Sequence, residues 1–487
     1  MKYQFRGVRR VRRRVGKHFT WPTRIFGATF LLCLALAFLA DSADVRAAFG
    51  AGACGLTLAL CFAGSLGLGA FCLTAVLSVH EWLSLIIGGN VDVPGLNVGT
   101  VMSAGGLIIF FVRWKNPPIA RFVKPLVRLY GGLLVLSAAT IFRGTDIGRG
   151  DWLGIISAAM RIVCIWVWLS AATGKSSTDK PILGGLYMFA GPLILGFSVT
   201  AQLLAVNART TLAYITARGA TIADPNYTMV TVAMAAIYSV TLACMKLPLP
   251  GRLLGTVVAF LSSIYIVVSG SRTALLALLV SLLVVALSGV RKLLVLTLVL
   301  AGVISIAPTF IPDIYVKRFV DPVAGYEEAR AAPFENALAS IRANPLFGTG
   351  RNTYYVGNAA LVNIGAHNTL LAFLAEGGIM FGAFFVLFIV AMLHACIKVA
   401  RRAPGGIAFV GIAVVFIVAS NGLSYSLADD TSLVLVGYLA VAQSVYCGQS
   451  SAVAFTPSSG HSEARGPADP NRLQAQPPAS RPATLAG

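Results

Sequence analysis

Long apolar runs parted by short polar joints fill the chain from Ile25 to Cys447. A helical span needs about 20 mostly apolar residues to cross about 30 Å of hydrocarbon. The runs predict spans near 25–40, 45–65, 68–88, 98–112, 125–142, 153–172, 182–205, 226–245, 252–268, 272–288, 292–308, 368–396, 406–422 and 431–447, about fourteen in all. No long run alternates with period 2, so the spans read as helices and not as barrel strands. The run at 368–396 exceeds one crossing, which predicts tilt or an extension past the membrane.

One joint is unlike the rest. Residues 309–367 carry charges, aromatics and turn formers and end in Gly365-Ala366-His367-Asn368. So long a polar excursion has left the bilayer. It is the place for chemistry on a water-borne group while the helices hold a lipid. Within it, Pro333 is placed to open a helix with Phe334, Leu338 and Ile341 on one face. Asn344-Pro345 closes that helix, and Gly348 and Gly350 mark a turn before Arg351. A lid-like helix and loop on the membrane surface is the expectation.

Composition agrees with this picture. The 487 residues are 57% hydrophobic and 11% charged, with a mean hydropathy of +0.80. A soluble domain carries roughly 25% charged residues. The net charge of +20 is uneven, with Lys2, Arg6, Arg9, Arg10, Arg12, Arg13, Arg14, Lys17 and Arg24 all before the first span. Beside a span such a run reads as an anchor on anionic headgroups, not as a nucleic-acid site. Another span follows at once, so the first helix reads as an uncleaved anchor and not a signal peptide.

Lys and Arg in the short joints set the orientation. The joints at Arg113–Arg128, Lys175/Lys180, Lys246/Arg252, Arg291/Lys292 and Lys398/Arg401/Arg402 alternate with acidic or weakly charged ones. With the N-terminus inside, residues 309–367 fall outside. The expected organisation is a basic cytoplasmic segment at 1–24, spans in 25–308, a periplasmic loop at 309–367, spans in 368–447 and a disordered cytoplasmic tail at 448–487. The Ser, Pro, Ala and Gln of that tail support its last assignment. The eight cysteines lie in or at the ends of apolar runs without a C-x-x-C pair, so they read as packing residues.

Several residues can carry chemistry. His367 stands at the mouth of a span, where a neutral imidazole accepts a proton near neutral pH; a solvated interfacial histidine looks the same from sequence. Arg272, in Ser269-Gly270-Ser271-Arg272, sits in a joint so tight that its charge lies at the outer boundary, serving a ligand or snorkelling to headgroups. Arg218, before Asp224-Pro225-Asn226, is also outside. Guanidinium binds phosphate oxygens in bidentate fashion and keeps its charge, so two outside arginines suit a diphosphate. Arg209 and Arg351 are weaker candidates, and Asn226, Asn368 and Glu376 are possible supports. Glu376 and Arg161, placed within spans, are expected to face the bundle interior. His80-Glu81 lacks the second histidine of a zinc motif. There is no Walker loop, dinucleotide fingerprint or D-x-D site, so neither ATP-driven transport nor a cofactor or metal is expected.

Four of these stretches together resemble the O-antigen ligase and polymerase superfamily of bacterial membrane glycosyltransferases. They are R-x-x-G…D-P-N at Arg218–Asn226, S-G-S-R at Ser269–Arg272, N-P-L-F-G-T-G at Asn344–Gly350, and H-N-T-L-L-x-x-L-x-E-G-G at His367–Gly378. Their order around the long loop also matches, over about 205–395. The resemblance implies an all-α polytopic membrane protein of the C-type glycosyltransferase architecture, with about twelve spans in place of the fourteen read here. It implies transfer of a glycan from undecaprenyl diphosphate to a sugar hydroxyl, at the periplasmic face of the bacterial inner membrane. The acceptor would be lipid A core in a ligase, or another lipid-linked repeat in a polymerase. It assigns His367 as the catalytic base and Arg218 and Arg272 to the diphosphate, without metal. A lipid-linked oligosaccharide flippase and a non-catalytic scaffold are the readings from other classes.

Overall fold

The computed structural model describes residues 21–62, 66–88, 98–113, 123–143, 186–206, 221, 223–245, 247–289, 328–351, 353, 356–358, 361–364, 366–402 and 405–423, with Gly302 and a few positions between 156 and 167. The predicted spans at 292–308 and 431–447, most of 153–172, Arg209, Arg218 and the tail lie outside these. The described helices are α1 (Trp21–Leu39), α2 (Ala43–Phe62), α3 (Leu66–Leu77), α4 (His80–Gly88), α5 (Val98–Arg113), α6 (Val123–Ile141), α7 (Ala190–Ala205), α8 (Pro225–Cys244), α9 (Leu249–Val268), α10 (Arg272–Ala286), α11 (Glu328–Ala343), α12 (Thr369–Arg402) and α13 (Ile407–Ser420). Strands β1 (Val356–Asn358) and β2 (Leu361–Ile364) pair antiparallel between α11 and α12.

This is an all-α polytopic membrane protein with one small hairpin. By length and apolar content, Ala43–Phe62, Pro225–Cys244, Leu249–Val268 and Thr369–Lys398 are each able to cross a membrane, and shorter apolar helices accompany them. Their apolar faces behave as a bilayer requires. Large side chains such as Phe142, Val135, Leu254 and Leu283 are exposed, where lipid and not water is the solvent. Helix α8 is the exception, buried all round: almost every side chain from Thr228 to Leu242 is enclosed. It packs against α7, α9, α10 and α13, so it is the central post of the C-terminal bundle. Small residues permit the approach. A methyl group on Gly255 of α9 would meet the Ser239 carbonyl of α8 at 2.8 Å.

Three local expectations change. The run at 68–88 is broken at Ser78-Val79 into α3 and α4. The break leaves the Leu77 carbonyl to the His80 ring, 2.7 Å from Nδ1. The other ring nitrogen, Nε2, takes Arg161 Nη1. Both side chains are buried, as a charge inside a bundle demands. The loop helix α11 starts at Glu328, ahead of Pro333, which lies within it. Its inward residues are Ala337, Leu338 and Ile341, packed with Ala366, Leu371, Ala372 and Ala375, while Phe334 is exposed.

The third change concerns α12. Gly378 has φ 66° and ψ −164°, which no helix contains. It divides α12 into a first arm, Thr369–Gly377, and a second arm, Ile379–Arg402. In a straight helix residues twelve apart are about 18 Å apart. Here the Phe373 ring stacks on Phe381 at 4.5 Å and meets Phe385 edge-on at 4.9 Å. The first arm is therefore folded back against the second, and the long run is not one tilted span.

Candidate active site

Three sequence stretches become helix starts. Asp224 caps α8, accepting from Asn226 N–H at 2.7 Å, with Pro225 at the first helical position. At the next reversal Gly270 takes φ 61°, and the chain turns from α9 into α10 within Ser269–Ser271. Ser269 Oγ donates to the Ile266 carbonyl at 2.8 Å, and Ser271 Oγ caps α10 by accepting from Ala274 N–H at 3.4 Å. Both serines are fully buried, and Arg272, first residue of α10, is exposed. The tight joint expected there is present. At the third start Asn368 caps the first arm of α12, its Oδ1 accepting from Leu371 N–H at 3.0 Å. His367, just before it, is partly buried and holds φ 51°, the positive-φ non-glycine residue among those described. Left-handed backbone at a non-glycine residue stores strain and clusters at functional sites.

The turn that follows α13 joins two of these starts. Thr369 Oγ1, fully buried, donates to the Leu423 carbonyl at 2.9 Å. One residue earlier Gly422 lies on Thr273; a methyl group there would meet Thr273 Oγ1 at 2.7 Å. The residue after Arg272 and the second residue after His367 thus both contact one turn, Asn421–Leu423. Helix α8, with Asn226 in its first turn, packs against both α10 and α13. Each helix start carries a partial positive charge from the aligned peptide dipoles, so this end of the bundle favours an anion.

Glu376 and Arg351 fall elsewhere. Glu376 is nine residues from His367, about 13 Å along the arm. Its side chain is buried, as expected of an intramembrane charge. The bend at Gly378 deprives the carbonyls of Ala375 and Glu376 of helical partners. Asn344–Gly350 supplies replacements: Thr349 N–H donates to Ala375 O at 2.9 Å and Gly350 N–H to Glu376 O at 3.0 Å. In return Ile379 N–H donates to Pro345 O at 2.8 Å. The fit leaves no room for side chains. A methyl on Gly348 would strike the Glu376 carbonyl, and one on Gly378 the Leu346 carbonyl. Arg351 extends the contact to α6, its N–H donating to Thr140 O at 3.1 Å. The two glycine-containing motifs are halves of one backbone joint.

Residues 257–386 match the family model described as O-antigen ligase. That stretch is similar to the O-antigen ligase family. No curated protein matches the chain. The matched stretch takes in most of α9, all of α10 and α11, the hairpin, the folded-back arm and the start of the second arm. It therefore holds Arg272, Arg351, His367, Asn368 and Glu376. Asn226 and Arg218 precede it. Sequence reasoning missed the partners that lie beyond it, Leu423 and Gly422 on α13's exit turn and Thr140 on α6. These are backbone contacts of ordinary residues, and only the fold-back could have pointed to them.

Proposed function

We propose that this chain is a membrane glycosyltransferase of the ligase type, moving a glycan from undecaprenyl diphosphate to a sugar hydroxyl of lipid A core at the periplasmic face of the inner membrane. The observation that carries the reading is the Asn421–Leu423 turn, which touches Thr273, next to Arg272, and Thr369, two residues past His367. Such a transfer needs two things at one place: a base for the acceptor hydroxyl and positive charge for the departing diphosphate.

In the proposed reaction His367 takes the proton of the acceptor hydroxyl as its oxygen bonds to the anomeric carbon. The bond from that carbon to the diphosphate oxygen breaks, and the electron pair leaves with undecaprenyl diphosphate. Arg272 and Arg218 hold the charge that develops there, with the helix starts of α8, α10 and α12 adding to it. Asn368 fixes the backbone on which His367 stands, and Asn226 sits in the first turn of α8. With guanidinium groups in that role, transfer proceeds without a divalent metal.

The test uses purified full-length protein, undecaprenyl diphosphate glycan and lipid A core acceptor. His367→Ala should lower turnover by about 10²–10⁴. Wild-type turnover in that variant would remove His367 from the mechanism. Wild-type product consisting of extended lipid-linked repeats, with lipid A core left unmodified, would replace the ligase reading by a polymerase at the same residues. Transfer unaffected by chelation with EDTA is expected; loss restored by magnesium or manganese would overturn metal independence.

A further inference from the structure

A transfer between two lipid-anchored substrates needs two lipid sites, and the proposed reaction uses Arg272 for the donor. Helix α12 packs against α6, and the end of α6 carries another arginine in an unusual setting. Arg143 Nη1 donates to the Phe347 carbonyl at 3.1 Å, across 204 positions of sequence. Its guanidinium carbon also lies over the Phe347 ring, 5.9 Å from the centroid. A headgroup-seeking arginine swings freely at the end of its chain. This one is held at two points, by a ring face and by a backbone oxygen. Among the described residues no carboxylate pairs with it.

The surroundings are apolar and open. Phe142, Leu346, Phe347, Ile379 and Met380 are each 46–76% exposed. The backbone joint at Gly378 holds Leu346 and Phe347 against the start of the second arm of α12. Arg351 is fixed to the same end of α6 through Thr140 O. Fixed positive charge ringed by exposed apolar side chains matches a lipid whose phosphate sits beside its acyl chains. We propose that Arg143 and Phe347 form the docking site for the phosphate of the acceptor glycolipid. This rests on the reading above, in which the acceptor is a phosphorylated glycolipid and Arg272 and His367 serve the donor and the transfer. The donor diphosphate then belongs to the Arg272 side, and the acceptor reaches His367 from the α6 side.

The experiment reads binding and not turnover, so its failure and the failure of transferase activity are separate results. Full-length protein in detergent is titrated by native mass spectrometry with diphosphoryl lipid A, with the fully dephosphorylated glycolipid, and with phosphatidylglycerol. The wild-type protein should hold the diphosphoryl form about ten-fold more tightly than either of the others, as expected for a charge-assisted pair. Arg143→Gln should lose that preference and leave binding of the dephosphorylated form unchanged. Phe347→Ala, which keeps the charge but removes the ring, should lose part of it. Equal retention of diphosphoryl lipid A by wild type and Arg143→Gln would overturn the site. So would phosphatidylglycerol binding as tightly as the diphosphoryl form, which would make Arg143 a general headgroup anchor.

Discussion

Charge alone does not explain why arginine stands at position 272. A lysine would serve a headgroup anchor equally well. A diphosphate clamp needs two parallel N–H donors, which guanidinium has and ammonium lacks. Arg272→Lys is therefore expected to lose most transfer activity at unchanged expression, and Arg218→Ala likewise. Near-normal rates with Arg272→Lys, in the purified transfer assay, would reduce that residue to an anchor. His367 depends on its neighbours for its pose. Thr369 has its hydroxyl buried against the Leu423 carbonyl, so Thr369→Val leaves a buried acceptor without its partner. That should cost about 1–3 kcal/mol and lower turnover, both readable on one purified sample by thermal melting and assay.

At the scale of elements, the folded-back helix is the feature on which the proposed site depends. Gly378 occupies backbone space that is essentially glycine-only, worth about 1–3 kcal/mol of strain for any other residue. An added methyl would also strike the Leu346 carbonyl. Gly378→Ala should therefore lower the melting temperature and disturb His367, because the arm that carries His367 is set by this bend. A variant with wild-type melting and turnover would show that the arm is not held there. Gly348→Ala should act in the same direction, since it meets the other half of the joint at the Glu376 carbonyl.

For the whole molecule, the working unit is larger than the matched domain. The matched stretch spans 257–386, yet α8, α13 and α6 supply its central post, the turn against Thr273 and Thr369, and its outer brace. The proposed orientation rests on Lys and Arg in the joints. Reporter fusions after Gly289 and after Val323 should report opposite sides of the membrane. The same side for both would displace the 309–367 segment, and with it the proposed face of reaction.

The apolar runs and the alternation of basic joints were enough to establish a helical membrane protein. The reason is that hydrocarbon leaves a crossing backbone few solutions and the pattern of runs records them. The structure adds the helix caps. Asp224, Ser271 and Asn368 are short polar side chains ahead of apolar runs, and their bonds are local. The sharp reversal at Gly378 was not readable, because a run of apolar residues is compatible with one long helix or two antiparallel ones. The choice lies in remote partners: Pro345, Thr349 and Gly350 take up the backbone groups that the bend releases, and Phe373 finds Phe381 and Phe385. The approach of the α10 and α12 starts to one turn is of the same kind. It is made by the backbone of Gly422 and Leu423, and a backbone contact leaves no mark on the sequence of either partner.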